Sequence, residues 1–199
     1  MLRWLSLCCC LAASSFVVGC ASAPTHFYVL TPLQSAASVD GVNGLALGID
    51  PVNLPGLLDR PLLVTRIDEH ERRLEEFARW AEPLDENIRR VLSENLSALL
   101  GSEQIVSLPT VRAVQLDRRL QVDVLRFEGT PGGEVVLEVR WSLYDPKTNT
   151  RQFTRHGTYA AAIGGDGMGP LVSAMSGVLG QLSHTVAAEL SKTSYRQLW

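Results

Sequence analysis

Five apolar residues, Val135, Leu137, Val139, Trp141 and Leu143, fall on strictly alternate positions, as in a strand with one face buried. Upstream, Leu120, Val122 and Val124 alternate with Gln121 and Asp123, but Leu125 and Phe127 take the opposite parity. That phase switch predicts a bulge or a strand end buried on both faces. Pro131-Gly132-Gly133 turns the chain between these two strands. Asp145 to Asn149 turns it again into a third, Arg151 to Tyr159, so the three form an antiparallel meander.

Two other stretches follow the helical period. Leu84, Ile88, Val91, Leu92, Leu96 and Leu99 make one stripe, with Pro83 at its start, Asp85 and Glu86 in the first turn and Gly101 at its end. Leu171, Met175, Val178, Leu179, Leu182, Val186 and Leu190 make the second, after a glycine-rich break at 164–169. Shorter strands are predicted at Phe27 to Leu30, Leu45 to Ile49 and Ile105 to Leu108, with a surface loop from Gln34 to Gly44. Leu62 to Ile67 and Arg73 to Phe77 fit a hairpin across Asp68 to Glu71, although the Glu- and Arg-rich second arm also suits a helix. The pattern predicts an α+β fold, a single mixed, largely antiparallel sheet with two long amphipathic helices packed on it. With no internal repeat and no linker, residues 27–199 read as a single domain.

The amino terminus obeys a different pattern. Met1-Leu2-Arg3 is a short positive start, and Trp4 to Val18 is apolar but too short to span a bilayer comfortably. Val17-Val18-Gly19-Cys20 is a lipobox-like tetrad, so residues 1–19 read as a cleaved lipoprotein signal, Cys20 as the acylated residue and residues 20–26 as a tether. One acyl chain binds a membrane only marginally, whereas three hold it essentially permanently. Ala21 and Ser22 follow, without the Asp at the second mature position that favours inner-membrane retention, so the periplasmic face of the outer membrane is expected.

Composition then narrows the function. The mature chain of 180 residues carries 17 Lys and Arg against 21 Asp and Glu, which argues against a nucleic-acid surface. Cys8, Cys9 and Cys10 leave with the signal and Cys20 takes lipid, so no cysteine remains for a disulfide, a catalytic thiolate or zinc. His26, His70, His156 and His184 lack metal-ligand spacing, and the Gly164 to Gly169 loop lacks the order of a nucleotide-binding or calcium loop. No Gly-x-Ser-x-Gly elbow is present. The chain reads as non-enzymatic, with no cofactor beyond the covalent lipid on Cys20.

Leu54 to Pro61 poses the sharpest question. Pro55, Gly56 and Pro61 forbid regular structure, yet Leu54, Leu57 and Leu58 are large and apolar, so the loop either folds onto the core or meets a partner. Trp80 is expected in the core. Arg79 and Arg60 are the unburied candidates, and Leu57, Leu58, Arg60 and Arg79 form the candidate partner-binding set.

The ordered motifs Leu54-Pro-Gly-Leu-Leu-Asp-Arg-Pro61 and Arg79-Trp-Ala-Glu-Pro-Leu84 precede Val122-Asp-Val-Leu-Arg-Phe127 and Leu137-Glu-Val-Arg-Trp141. With the lipobox and the Phe27 to Leu30 start, this arrangement resembles the ABC-type transport auxiliary lipoproteins over nearly the whole mature chain. The resemblance implies a docking subunit whose partner is an MCE-domain protein, in an ABC-driven or Pqi-like system for intermembrane lipid transport. Such partners form hexameric rings, and closed self-association of the lipoprotein into a homo-oligomer would match that symmetry. The rival reading is a stand-alone lipid or small-ligand carrier. A carrier needs an apolar pocket on the order of several hundred Å³.

Overall fold

The computed structural model describes residues 23–34, 44–110, 114–130 and 132–195. The expected signal segment 1–19, Cys20 and most of the expected Gln34 to Gly44 loop lie outside them. One mixed sheet of eight strands and two helices make up the described fold, as the pattern predicts.

The alternating segments build the middle of the sheet. β6 (Arg118–Gly129), β7 (Glu134–Asp145) and β8 (Thr150–Ala162) form the antiparallel meander, and all five alternating residues of β7 are buried. The phase switch in β6 is a bulge: the register with β7 shifts between Val124 and Arg126, and Leu125 is pushed outward.

β6 is shared along its other edge. Its first residues pair in parallel with β2 (Leu47–Ile49), which carries β5 (Ile105–Ser107). Its last residue, Gly129, bridges Thr65 of β3 (Leu62–Arg66). β3 pairs antiparallel with β4 (Arg72–Trp80), and β4 in parallel with β1 (His26–Tyr28). The Glu- and Arg-rich stretch is therefore a strand, one whose outward residues are solvated while Ala78 and Trp80 enter the core. Between the two branches, Asn53 bridges β6 through Asn53 N–H to Val122 O at 3.1 Å and Val124 N–H to Asn53 O at 2.9 Å. The proline-bounded loop after it spans the remaining gap, where a Pro would have no ladder bond to lose.

Helix α1 (Leu84–Leu100) begins one residue later than the sequence suggests. Pro83 is its N-cap, and the Pro83 carbonyl accepts from Asn87 N–H at 2.9 Å. Gly101 closes it in the left-handed conformation, φ 57°, where a side chain would be strained. Helix α2 (Met168–Tyr195) lies across β6, β7 and β8 and packs on α1, and its seven stripe residues are all buried. Gly129 permits this closeness, since a Cβ there would collide with Leu171 of α2. At the other end of the sheet, a Cβ on Gly48 would lie 2.7 Å from Leu116 and 2.8 Å from Leu108.

The segment after β1 is bolted across both helices. Leu30 N–H donates to Asn87 Oδ1 at 3.2 Å, Thr31 N–H to Ser176 Oγ at 3.1 Å and Leu33 N–H to Asn95 Oδ1 at 2.8 Å. Arg90 adds a bond from Nη2 to Leu30 O at 3.0 Å and is held by Glu82 at 2.8 Å. Asn95 Nδ2 in turn donates to Ser183 Oγ of α2 at 3.1 Å. The stretch that follows β1 is thus fixed to the core by buried amides on two turns of α1.

Candidate functional site

Opposite the helices, the outward side chains of β4, β6 and β7 make a face of interlocked charges. Arg72 pairs with Glu128, which also accepts from Arg126 at 2.8 Å, and Arg126 reaches Glu138 at 3.2 Å. Arg140 holds Asp123 at 3.0 Å, and Asn53 and Gln121 donate to the same carboxylate at 2.6 and 3.3 Å. Burial pushes the Asp123 carboxyl up, but the hydrogen bonds from Asn53, Arg140 and Gln121 outweigh it and hold the group below the ordinary carboxylate range. Asp50 goes the other way. Burial raises it, and the charge and hydrogen bonding of Arg119, whose Nε lies 3.1 Å away, only partly offset that. Cross-strand pairs of opposite sign are the usual solution for a solvated sheet face.

Leu57 and Leu125 meet where this charged surface opens, and Leu74 of β4 is exposed as well. Leu125, thrown out by the bulge, is 48% exposed, and Leu57 is 40% exposed. Together with Pro55, Leu58 and the Arg72, Glu128, Arg126 and Glu138 network they line a surface depression of about 240 Å³. The loop that presents Leu57 is a compact turn, with Leu58 and Asp59 N–H both donating to Pro55 O at 2.8 and 3.2 Å.

Of the residues singled out from the sequence, the structure separates what the sequence placed together. Leu58 is buried in the core and so is not a presented side chain, a correction to the paired reading of Leu57 and Leu58. The loop does both things at once: one leucine seals the gap between sheet branches, and its neighbour faces water. Arg60 is half-buried, with Nη2 donating to Gly56 O at 3.2 Å and Nε buried without a partner, so it braces the turn. Arg79 is exposed on β4, away from this depression, and Trp80 is buried. Leu125 was not among the candidates, although the parity switch that exposes it is visible in the sequence. The histidines sit on β1, the β3–β4 turn, β8 and α2. Among the described residues no group of three or more metal-ligating side chains gathers.

Two other depressions on the described surface are similar in kind. One of about 260 Å³ is lined by Val52, Asn53, Leu54, Asp59 and Asp85, and one of about 440 Å³ by small residues at the β8–α2 connection. None of these three is an enclosed apolar cavity.

A profile of the ABC-type transport auxiliary lipoprotein component matches residues 28–187, from β1 through most of α2. The chain belongs to this family. Among curated relatives, the intermembrane transport lipoprotein PqiC of Escherichia coli K12 is 26% identical over 196 residues, covering 96% of this chain and 99% of that protein. PqiC of Shigella flexneri matches to the same extent. A crystal structure of a Xanthomonas campestris protein superposes with a TM-score of 0.74 at 15% identity, covering 87% of this chain and 98% of the other. An uncharacterized protein of known structure gives 0.69 at 22% identity, covering 84% and 99%. These two establish the fold, and the auxiliary-lipoprotein profile gives the family. It is a transport component, and among the described residues no helix is long and apolar enough to cross a membrane.

Proposed function

We propose that this auxiliary lipoprotein is anchored to the outer membrane through acylated Cys20 and serves, without catalysis of its own, as a docking subunit for an MCE-type intermembrane lipid transport assembly. The observation that carries the reading is the pair Leu57 and Leu125, exposed and apolar in one depression whose rim is the Arg72, Glu128, Arg126 and Glu138 charge network. Apolar centres framed by satisfied charges are how protein interfaces are built. The full-length similarity to PqiC, a lipoprotein named for intermembrane transport, supports the system in which the surface would work. Leu57 and Leu125 are the contact centre in this reading, with Arg60 bracing the loop. Repeated copies around a ring partner would let weak single contacts act together.

The carrier alternative would need an enclosed apolar cavity, and the three depressions described above are open and edged by charge or small residues. The test is capture of the acylated protein from crosslinked cell envelopes. Wild type should bring down an MCE-domain protein. Cys20→Ala should persist as an uncleaved precursor at the inner membrane and bring down none. Recovery of mature-sized, acylated Cys20→Ala protein in the outer membrane would overturn the anchor, and capture without any MCE-domain protein would overturn the docking role.

A further inference from the structure

The open face departs from its charged pattern at a second place, the corner where the chain enters the sheet. Tyr28 and Leu30 turn inward, while Phe27 and Val29 stay outside, 66% and 43% exposed. On β4, Ala78 and Trp80 turn inward and Phe77 and Arg79 outward, with Phe77 41% exposed. Parallel pairing sets Phe27 beside Arg79. Three large apolar side chains and one guanidinium therefore share a corner, and the Arg79 side chain makes no hydrogen bond or ion pair with the described residues. Arg72, Arg126 and Arg140, by contrast, are all neutralised by carboxylates on the same sheet.

Chain length decides what covers this corner. Six residue steps join Cys20 to His26, and an extended chain advances at most about 3.3–3.6 Å per step, so β1 begins within about 20 Å of Cys20. We propose that this corner is a second membrane contact, with Phe27, Val29 and Phe77 entering the interfacial layer of a phospholipid bilayer and Arg79 meeting the lipid phosphates. The proposal rests on acylation of Cys20, which keeps the bilayer permanently in reach. Exposed aromatics beside an unpaired cation are the composition of interfacial segments, which bury apolar surface at headgroup depth while the charge stays at the phosphates. The buried amides on Asn87 and Asn95 hold the strand rigidly to the helices. A covalent anchor plus a rigid surface contact restricts rotation about the tether, so the domain presents one orientation to its partner.

Acylation consumes the cysteine of the mature chain, so Phe77→Cys takes a nitroxide at that one position. The acylated, labelled protein is reconstituted on vesicles of phosphatidylethanolamine and phosphatidylglycerol, with Thr158→Cys on exposed β8 as the comparison. At position 77 the nitroxide should be several-fold more accessible to dissolved oxygen than to an aqueous nickel chelate, and at 158 the preference should reverse. Equal aqueous access at both positions overturns the proposal. Shielding of position 77 from both reagents also overturns it, since that means protein covers the corner. Failure of acylation is separable, because wild-type protein would then not float with the vesicles at all.

Discussion

Asp123 shows how a single residue stabilises the charged face. Its carboxyl titrates below the ordinary range in the folded chain because Asn53, Arg140 and Gln121 favour the charged form more than burial opposes it. A lowered native value gives stability that is complete above the unfolded carboxylate value of about 3.9 and lost as pH falls through the native one. Asp50, raised by burial, has the opposite sign and favours folding as it takes up its proton. In paired pH titrations of thermal stability, wild type should therefore exceed Asp123→Asn at neutral pH, with the gap closing below about pH 4. A gap independent of pH would place the effect of Asp123 in packing rather than charge. Asn95 acts in a different way. Its amide joins Leu33 N–H to Ser183 Oγ inside the protein, so Asn95→Ala leaves Leu33 N–H without its acceptor, while Ser183 Oγ keeps its bond to Leu179 O, and should cost about 1–3 kcal/mol in urea unfolding. Faster amide exchange at Leu33 should accompany the loss, and unchanged exchange would mean the strap is held by something else.

At the scale of elements, legibility followed locality. β7 could be read from five alternating residues because one face meets the helices and the other meets water. Trp141 is the largest of them and packs edge-on against Phe153, ring centres 5.6 Å apart. Trp141→Ala should cost about 3–5 kcal/mol, visible as a large fall in the urea midpoint, and an unshifted midpoint would contradict its place in the core. The bulge in β6 was equally visible, as a change of parity. The branching of β6 was not, because pairing with β2 at one end and β3 at the other depends on contacts distant in sequence. β4 was ambiguous for a related reason: its Glu and Arg residues are outward-facing, so helix propensity spoke louder than the pairing that decides. Nothing in the helical stripe singles out Asn87 and Asn95, and the strap they receive is what places their amides in the interior.

In the proposed reading the whole molecule combines a tether, a strap and a docking face. Its two apolar openings lie on the side of the sheet away from the helices, where charge pairs otherwise exclude contact. The sequence suggested that the Leu54 to Pro61 loop would either fold inward or meet a partner. Steric sharing explains why it does both: sealing the sheet gap needs one leucine, and the tight Pro55 turn leaves the adjacent one outside. Docking through this surface is tested most directly by binding of the purified cognate MCE-domain protein to wild type and to the double variant Leu57→Ser, Leu125→Ser, with thermal unfolding run alongside. Loss of capture at an unchanged melting temperature is the predicted result. Wild-type capture by a folded double variant would contradict it and remove this face from the interface.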